Sequence, residues 1–279
     1  GETIVSSGAA VQVTGGITSA EAFTVSGTGL SATSGVLQNL SGDNTLSGAI
    51  TVTTASRFGS DAGTLTLGGA LTATNLELAF GGAGNVVVSG AMSLGTAGVT
   101  KDGLGTLTLS GTNTYAGATA VTAGALRIAN AAALGTTSSL VVTAGAALQI
   151  AGGVTYVGVA ATTPILQNIS GNNVWSVALR PTNGGALTLR SDAGVLTLNG
   201  PGGSLNAQSP DGVDRALVLT GAGDGSLATA FGNAASFTKS GAGVWTISTA
   251  QTYLIETSIE AGTLKAGAAG VLSANSTVR

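Results

Sequence analysis

Lys101-Asp-Gly-Leu-Gly-Thr-Leu-Thr-Leu109 returns as Lys239-Ser-Gly-Ala-Gly-Val-Trp-Thr-Ile247, at an offset of 138 residues. In the first copy the last four residues, Thr106-Leu-Thr-Leu109, alternate polar with apolar, the period of a half-buried strand. In both copies, two glycines precede that strand and supply turn chemistry. The correspondence runs on: Thr114-Tyr115 answers Thr252-Tyr253, and Gly124-Ala-Leu-Arg127 answers Gly262-Thr-Leu-Lys265.

Working outward, further blocks recur. Leu37-Gln-Asn-Leu-Ser-Gly-Asp-Asn44 matches Leu166-Gln-Asn-Ile-Ser-Gly-Asn-Asn173, and Ser60-Asp-Ala-Gly-Thr-Leu-Thr-Leu67 matches Ser191-Asp-Ala-Gly-Val-Leu-Thr-Leu198. Gly8-Ala-Ala-Val-Gln12 matches Gly145-Ala-Ala-Leu-Gln149. The offsets drift between 129 and 138, which places short insertions, read as loops, at Ile17–Gly35 and Ser204–Arg215. Thr3 is in phase with Leu140, and Leu140 with Val278. The chain therefore divides into two super-repeats, 1–139 and 140–279, expected to form one continuous array.

Composition narrows the class. Charged residues are 8%, hydrophobic residues 43%, and glycine occupies 46 of 279 positions. That is too apolar for a disordered chain. Every apolar run is broken well short of the roughly 18 residues a spanning helix needs. Cys and His are both absent, which removes thiol nucleophiles, Cys/His zinc sites and Ser-His-Asp triads. Nine Lys and Arg residues against twelve Asp and Glu give a net charge of −3, unsuited to nucleic acid, which wants a dense basic face. The opening Gly1-Glu2-Thr3 has no basic segment and no apolar core of a leader, so the sequence reads as an internal piece of something longer.

Short alternating strands with frequent Gly, Asn and Ser turns suit a sandwich, a barrel or a solenoid. Helical signal is confined to a turn or so at Ala129–Leu134. A repeat that ends in the phase where it began favours stacking of like units along one axis. Aromatics at 4% would leave a two-sheet core short of bulk, whereas Leu, Val, Ile and Ala fill a narrow one. The expected fold is all-β: a right-handed parallel β-helix (β-solenoid) of about twelve coils, each about 20–25 residues, on the order of 55–60 Å long. Asn39 and Asn168 are positioned to start internal amide ladders.

The pattern Lys101-x-Gly103-x-Gly105-Thr-Leu-Thr-Leu-Ser-Gly111-x-Asn113-Thr-Tyr115-x-Gly117-x-Thr119-x-Val121-x-x-Gly124-x-Leu126 resembles the autotransporter-associated β-strand repeat of bacterial passenger domains. The second copy departs from it, with Gln251 in place of Asn113 and Ile255 in place of Gly117, so its turn is expected to differ there. The resemblance implies a parallel β-helix, export, display at or beyond the outer membrane, and no catalytic residues.

Each residue that could carry chemistry has a competing structural reading. Asp211-Gly-Val-Asp214-Arg215 is the densest charge cluster, open to a hydrolytic pair or Ca²⁺, but it reads more simply as a solvated loop. Asp61 and Asp192 recur with the scaffold and read as turn formers. Gly221-Ala-Gly-Asp-Gly225 lacks the nonapeptide period of calcium repeats. Gly27-Thr-Gly29 and Gly103-Leu-Gly105 have no following helix to hold phosphate. Lys101 and Lys239 are expected on a rung exterior, keeping strand edges apart. Trp175 and Trp245 replace Leu46 and Leu107 of the other copy and read as core. No catalytic residue, cofactor or metal ligand is assigned.

The expected role is a rod, stalk or fibre segment of a cell-surface or extracellular protein, with neighbouring repeats or copies of itself stacked end to end over ends that carry no visible cap at Gly1 or Arg279. The alternative is an adhesin whose loops bind glycans or host proteins; a polysaccharide lyase or hydrolase is the third reading. Neither nucleic acid nor insertion of this segment into a membrane is expected. The period-two reading has a direct check in chemical denaturation. Leu107→Asp buries an unpaired charge and should cost more than about 4 kcal/mol, whereas Thr108→Asp should stay within about 1 kcal/mol.

Overall fold

A computed structural model describes all residues except 202–204, 252, 254, 255, 273–276 and 278. Val278, and Ile255 with its expected turn, lie outside the described residues. The protein is a β-solenoid of about twelve turns. The chain packs as two compact units, Gly1–Leu140 and Val141–Arg279. Among the described residues there is no α-helix, and so none long and apolar enough to cross a membrane.

The coils of the first unit contribute strands to three parallel sheets. The first face stacks Glu2–Val5, Ala22–Val25, Ile50–Val52, Leu71–Ala73 and Met92–Ser93. The second stacks Val11–Thr14, Leu37–Ser41, Ser56–Ser60, Leu78–Gly81, Val99–Lys101 and Thr119–Val121. The third stacks Thr18–Ser19, Asp43–Leu46, Thr64–Leu67, Asn85–Val88, Thr106–Leu109 and Ala125–Ile128. In the second unit the same logic holds, for example through Ile165–Ser170, Leu187–Ser191, Arg215–Thr220 and Ala234–Lys239 on one face. Strands pair with the strand one coil on, in parallel; the isolated bridge Gln208↔Asp214 is antiparallel.

Period two decides which side chains enter the narrow interior. Leu65, Val86, Leu107 and Leu126 stack through consecutive coils, all at 2% exposure or less. Phe23, Ile50, Leu71 and Met92 form a second buried column. Each such aliphatic side chain contributes about 1.5–3 kcal/mol by leaving water. The few aromatics stack on one another: Phe58 on Phe80 at 5.4 Å, Tyr156 on Trp175 at 4.5 Å, and Phe231 on Tyr253 at 4.9 Å.

Coil length varies where the offsets drift, but the insertions are only partly loops. Of Ile17–Gly35, Ala22–Val25 is a full rung paired with Glu2–Val5 and Ile50–Val52. Thr18–Ser19 is a strand of the third face, and the stretch from Gly27 to Gly35 folds over the second face, where Val36 donates to Arg57 O at 2.8 Å and Gly35 donates to Thr28 O at 2.9 Å. A Cβ on Gly59 would lie 1.9 Å from Ser34 O, so that outward position is closed to any side chain while the loop lies over it. Of the second insertion, Leu205–Asn206 is a rung and Gln208–Asp214 a small hairpin, while Ser204 lies outside the described residues. The strands in both stretches are hidden in the sequence because their alternation is too short to stand out against low-complexity neighbours.

Trp175 and Trp245 are core, at 1% and 0% exposure. The larger indole at Trp245 is accommodated one coil below: a Cβ on its register partner Gly225 would lie 2.4 Å from the ring. The corresponding pair in the first unit is Val86 under Leu107. Gly225→Val should therefore destabilise the protein by roughly 1–3 kcal/mol through overpacking. Adding Trp245→Leu, which restores the first unit's pairing, should recover most of that loss in a double-mutant cycle read by thermal unfolding.

Candidate functional site

The recurring blocks converge on one corner of the coil, between the second and third faces of the first unit and at the matching corner of the second. Gly42, Gly63, Gly82, Gly103 and Gly124 follow one another up this corner with φ between 66° and 107°. Gly171, Gly194, Gly221, Gly241 and Gly262 do the same in the second unit, between 68° and 106°. At Gly103 a Cβ would also lie 2.5 Å from the backbone of Gly82, so both conformation and close stacking require glycine. Such a corner turns backbone carbonyls toward the interior, where each needs a donor.

Three kinds of side chain supply those donors. Asn39 Nδ2 donates to Gly42 O at 3.0 Å and, one coil on, to Ala62 O at 2.8 Å. Ser60 Oγ donates to Gly63 O at 3.3 Å and accepts from Asn39 Nδ2 at 3.0 Å. Lys101 Nζ donates to Asp102 O at 2.5 Å, Gly103 O at 2.8 Å and Ala123 O at 3.3 Å. The second unit repeats the set. Asn168 reaches Gly171 O and Ala193 O, Ser191 reaches Gly194 O, and Lys239 reaches Ser240 O, Gly241 O and Ala261 O at 2.8–3.0 Å.

The lysines are thus corrected from the rung exterior to the interior: Lys101 is 2% exposed and Lys239 0%. Each has the same parity as a buried apolar neighbour two residues back, Val99 and Phe237. Charge argued for an outward position, but the three carbonyls make the inward one tolerable. Burial pushes the Lys101 ammonium down to about 8; Asp102 opposes that shift and Arg57 adds to it. Lys239 is lowered by the same desolvation.

The asparagines do not build a ladder of identical amides. Asn39 meets Ser60 in the next coil, and its Oδ1 accepts from Asn44 Nδ2 of its own coil at 2.5 Å. Asn44 Oδ1 in turn accepts from the Ile17 backbone N–H one coil earlier at 2.7 Å. Asn168 and Asn173 make the same arrangement with Val154 N. Outside the corner runs a ladder that sequence reasoning missed. Gln12 donates to Gln38, and Gln38 to Asp61; Gln149 donates to Gln167, and Gln167 to Asp192. The matched glutamines were its signal, and each aspartate ends a row.

Farther along the repeat, Asn113 Oδ1 accepts from Met92 N at 2.8 Å, and Gln251 Oε1 accepts from Phe231 N at 2.8 Å. The longer amide does the same work, so the second copy keeps this tie. Tyr115 and Tyr253 each bond the hydroxyl of a threonine four residues on, Thr119 and Thr257. Arg57 and Asp102 form an ion pair that spans an intervening coil at Gly81, whose Cβ would collide with both side chains. The second copy has Ser240 in place of Asp102, so no repeat signal marked this pair.

The acidic hairpin is internally satisfied. Asp211 bonds Ser209 Oγ, accepts from Val213 N at 3.1 Å and pairs with Arg215, while Asp214 accepts from Gln208 Nε2 at 3.0 Å. The Ser209 bond foremost, with Val213 N and Arg215, holds the Asp211 carboxyl below its usual range. Asp224, in the Gly221–Gly225 stretch, accepts from Val244 N at 2.9 Å. Among the described residues no group of three or more His, Cys, Asp and Glu side chains is placed to hold a metal ion. Gly27-Thr-Gly29 begins the loop over the second face, and Gly103-Leu-Gly105 is the glycine corner itself.

Residues 99–128 and 237–266 match the family described as passenger-associated-transport-repeat. No match was found among curated proteins or among solved structures. The two matched stretches each begin on the strand that carries the buried lysine and end on the rung above it.

Replacing that lysine tests the corner. Lys101→Met leaves three buried carbonyls without a donor and should cost on the order of 2–3 kcal/mol. Because the ammonium pKa is lower in the folded state, the unfolded chain binds the proton more tightly between pH 8 and the ordinary lysine range. Stability should then rise with pH across that window in the wild type. The gap to Lys101→Met in thermal unfolding should widen over the same interval; a constant gap would contradict the assignment.

Proposed function

With two passenger-associated transport repeats set in a β-solenoid, we propose that this passenger-like chain is a structural segment of a bacterial cell-surface or extracellular protein, acting as a rod, stalk or fibre building block. The observation that carries the reading is where the repeated residues are used. Lys101, Asn39, Ser60, Asn113 and their second-unit counterparts all tie one coil to the next. None is turned toward a cleft. A site under catalytic demand keeps polar groups unpaired for substrate, whereas here the repeat consumes them.

The partners in this reading are neighbouring repeats or further copies stacked end to end, since parallel coils present unpaired N–H and C=O groups to whatever lies above and below them. A second reading, an adhesin, rests on a separate observation. The two insertions carry large apolar side chains into solvent, Leu30 at 64% and Val213 at 47% exposure. Apolar loop tips of this kind fit a glycan or host protein better than they fit a stalk.

Negative-stain electron microscopy of the purified chain separates these readings from each other and from a hydrolase. Elongated particles that join end to end as concentration rises are expected. Compact particles with no elongation would count against the structural role. Asp211→Asn with Asp214→Asn should leave any glycan binding and the particle shape unchanged, and loss of a polysaccharide-cleaving activity in that variant would revive the enzymatic reading.

A further inference from the structure

The second unit holds a cavity of about 290 Å³ that the corner chemistry does not use. Val141 and Thr162 line it from the outer surface of two rungs, since Val142 and Ala161 beside them take the inward positions at 2% exposure or less. Ala144 lines it from the turn closed by Ala146 N, which donates to Thr143 O at 3.1 Å. Pro210 lines it from the hairpin Gln208–Asp214. Asn183, also in the lining, accepts at Oδ1 from Asp211 N at 3.2 Å and so ties that hairpin to the coil before it.

The sixth side chain is Thr182, which is 7% exposed and whose hydroxyl has no hydrogen-bond partner in the protein. Other buried threonines of this unit are paired: Thr163 Oγ1 donates to Ile165 O at 2.8 Å, and Thr257 Oγ1 bonds the Tyr253 hydroxyl at 2.6 Å. A hydroxyl withdrawn from water and left unpaired costs stability, and valine would fill the same space without that cost. Asn183 spends its Oδ1 on the hairpin and keeps the two donors of Nδ2 uncommitted. Among the described residues no charged side chain lines the cavity; Arg180 is in register with Thr162 but lies outside the lining.

These features select an occupant. A wholly apolar guest leaves Thr182 and Asn183 unpaired, and a charged one meets no counter-ion in the lining. The volume sits at the bottom of the roughly 300–1,000 Å³ range of small-molecule sites, which suits one compact ring and not an extended chain. A neutral pyranose carries hydroxyls around its rim and C–H groups on its faces. We infer that the cavity binds one uncharged pyranose unit of a glycan, with Thr182 and Asn183 as its polar contacts and Val141, Ala144 and Pro210 against its C–H groups. The inference rests on the adhesin reading and gives that reading a site and a ligand class. Thr182 is kept at a cost to the fold because the sugar, not the protein, supplies its partner.

The test titrates the full chain with the methyl glycosides of glucose, galactose and mannose, and with methyl glucuronide as the charged probe, by nuclear magnetic resonance. Thr182→Val removes the unpaired hydroxyl; Ala144→Trp fills the cavity from an exposed position; Ala242→Trp, exposed in the glycine corner, is the control. At least one neutral glycoside should bind wild type and Ala242→Trp alike and lose about tenfold or more in affinity in the other two variants. Without sugar, Thr182→Val should melt no lower than wild type. A lower melting temperature overturns the inference, because the hydroxyl then serves the fold. So does preference for the glucuronide, or equal binding by all variants, which leaves the adhesin reading intact at another surface. If no glycoside binds, the inference also fails, and a glycan array on the wild type then decides the adhesin reading separately.

Discussion

Stacking coils in parallel solves the hydrogen bonding of the faces and creates a problem at the corners. Between strands, N–H and C=O groups find their partners one coil away. At the tightest corner the chain must turn through left-handed glycines, and the carbonyls around them face inward with no strand to meet. The interior there is closed to water, so an unmet carbonyl costs about 1–3 kcal/mol. The sequence answers with side chains that bring several donors to one point: an asparagine and a serine in the lower coils, a lysine ammonium above. An ammonium has three protons and no acceptor, which suits a cage made only of carbonyl oxygens. That match explains why a charge is kept in a core of leucines and valines.

The two units show which parts of this solution are fixed. Corner glycines, asparagines, serine and lysine recur with the same partners. The aliphatic columns change freely as long as volume is conserved between neighbouring coils, as where Trp245 sits over Gly225. Substitutions such as Asn113 to Gln251 are accepted because the acceptor atom still reaches the same backbone N–H one coil below. Interior packing is negotiated between adjacent rungs; corner chemistry is not.

Much of this is legible in the sequence. Alternation in Thr106–Leu109 and Thr64–Leu67, and the phase of the long repeat, carry the parallel solenoid. Core placement of Trp175 and Trp245 follows from the apolar residues they replace. The lysines are misplaced when charge is weighed above parity, although Val99-Thr-Lys101 and Phe237-Thr-Lys239 both put them inside. Amide ladders are expected at Asn39 and Asn168, but the serines that follow them in register belong to a different block of sequence. The Arg57–Asp102 pair is invisible, since its partners lie two coils apart and nothing local links them. Rung strands inside the insertions are hidden for a related reason: four residues of alternation in a Thr- and Ala-rich chain carry little signal.

The hairpin Gln208–Asp214 shows how such a chain can acquire novelty. It interrupts one coil between Leu189 and Leu219, yet those two leucines still meet in register. Ser209, Asp211 and the adjoining Arg215 meet most of its polar groups, and Asp211 N also bonds Asn183 Oδ1 on the preceding coil. A segment that closes most of its own bonds and leaves the rungs on either side aligned is close to a self-contained graft. Evolution, or an engineer displaying a foreign peptide, can exchange the contents of that bend without renegotiating the scaffold that bears it.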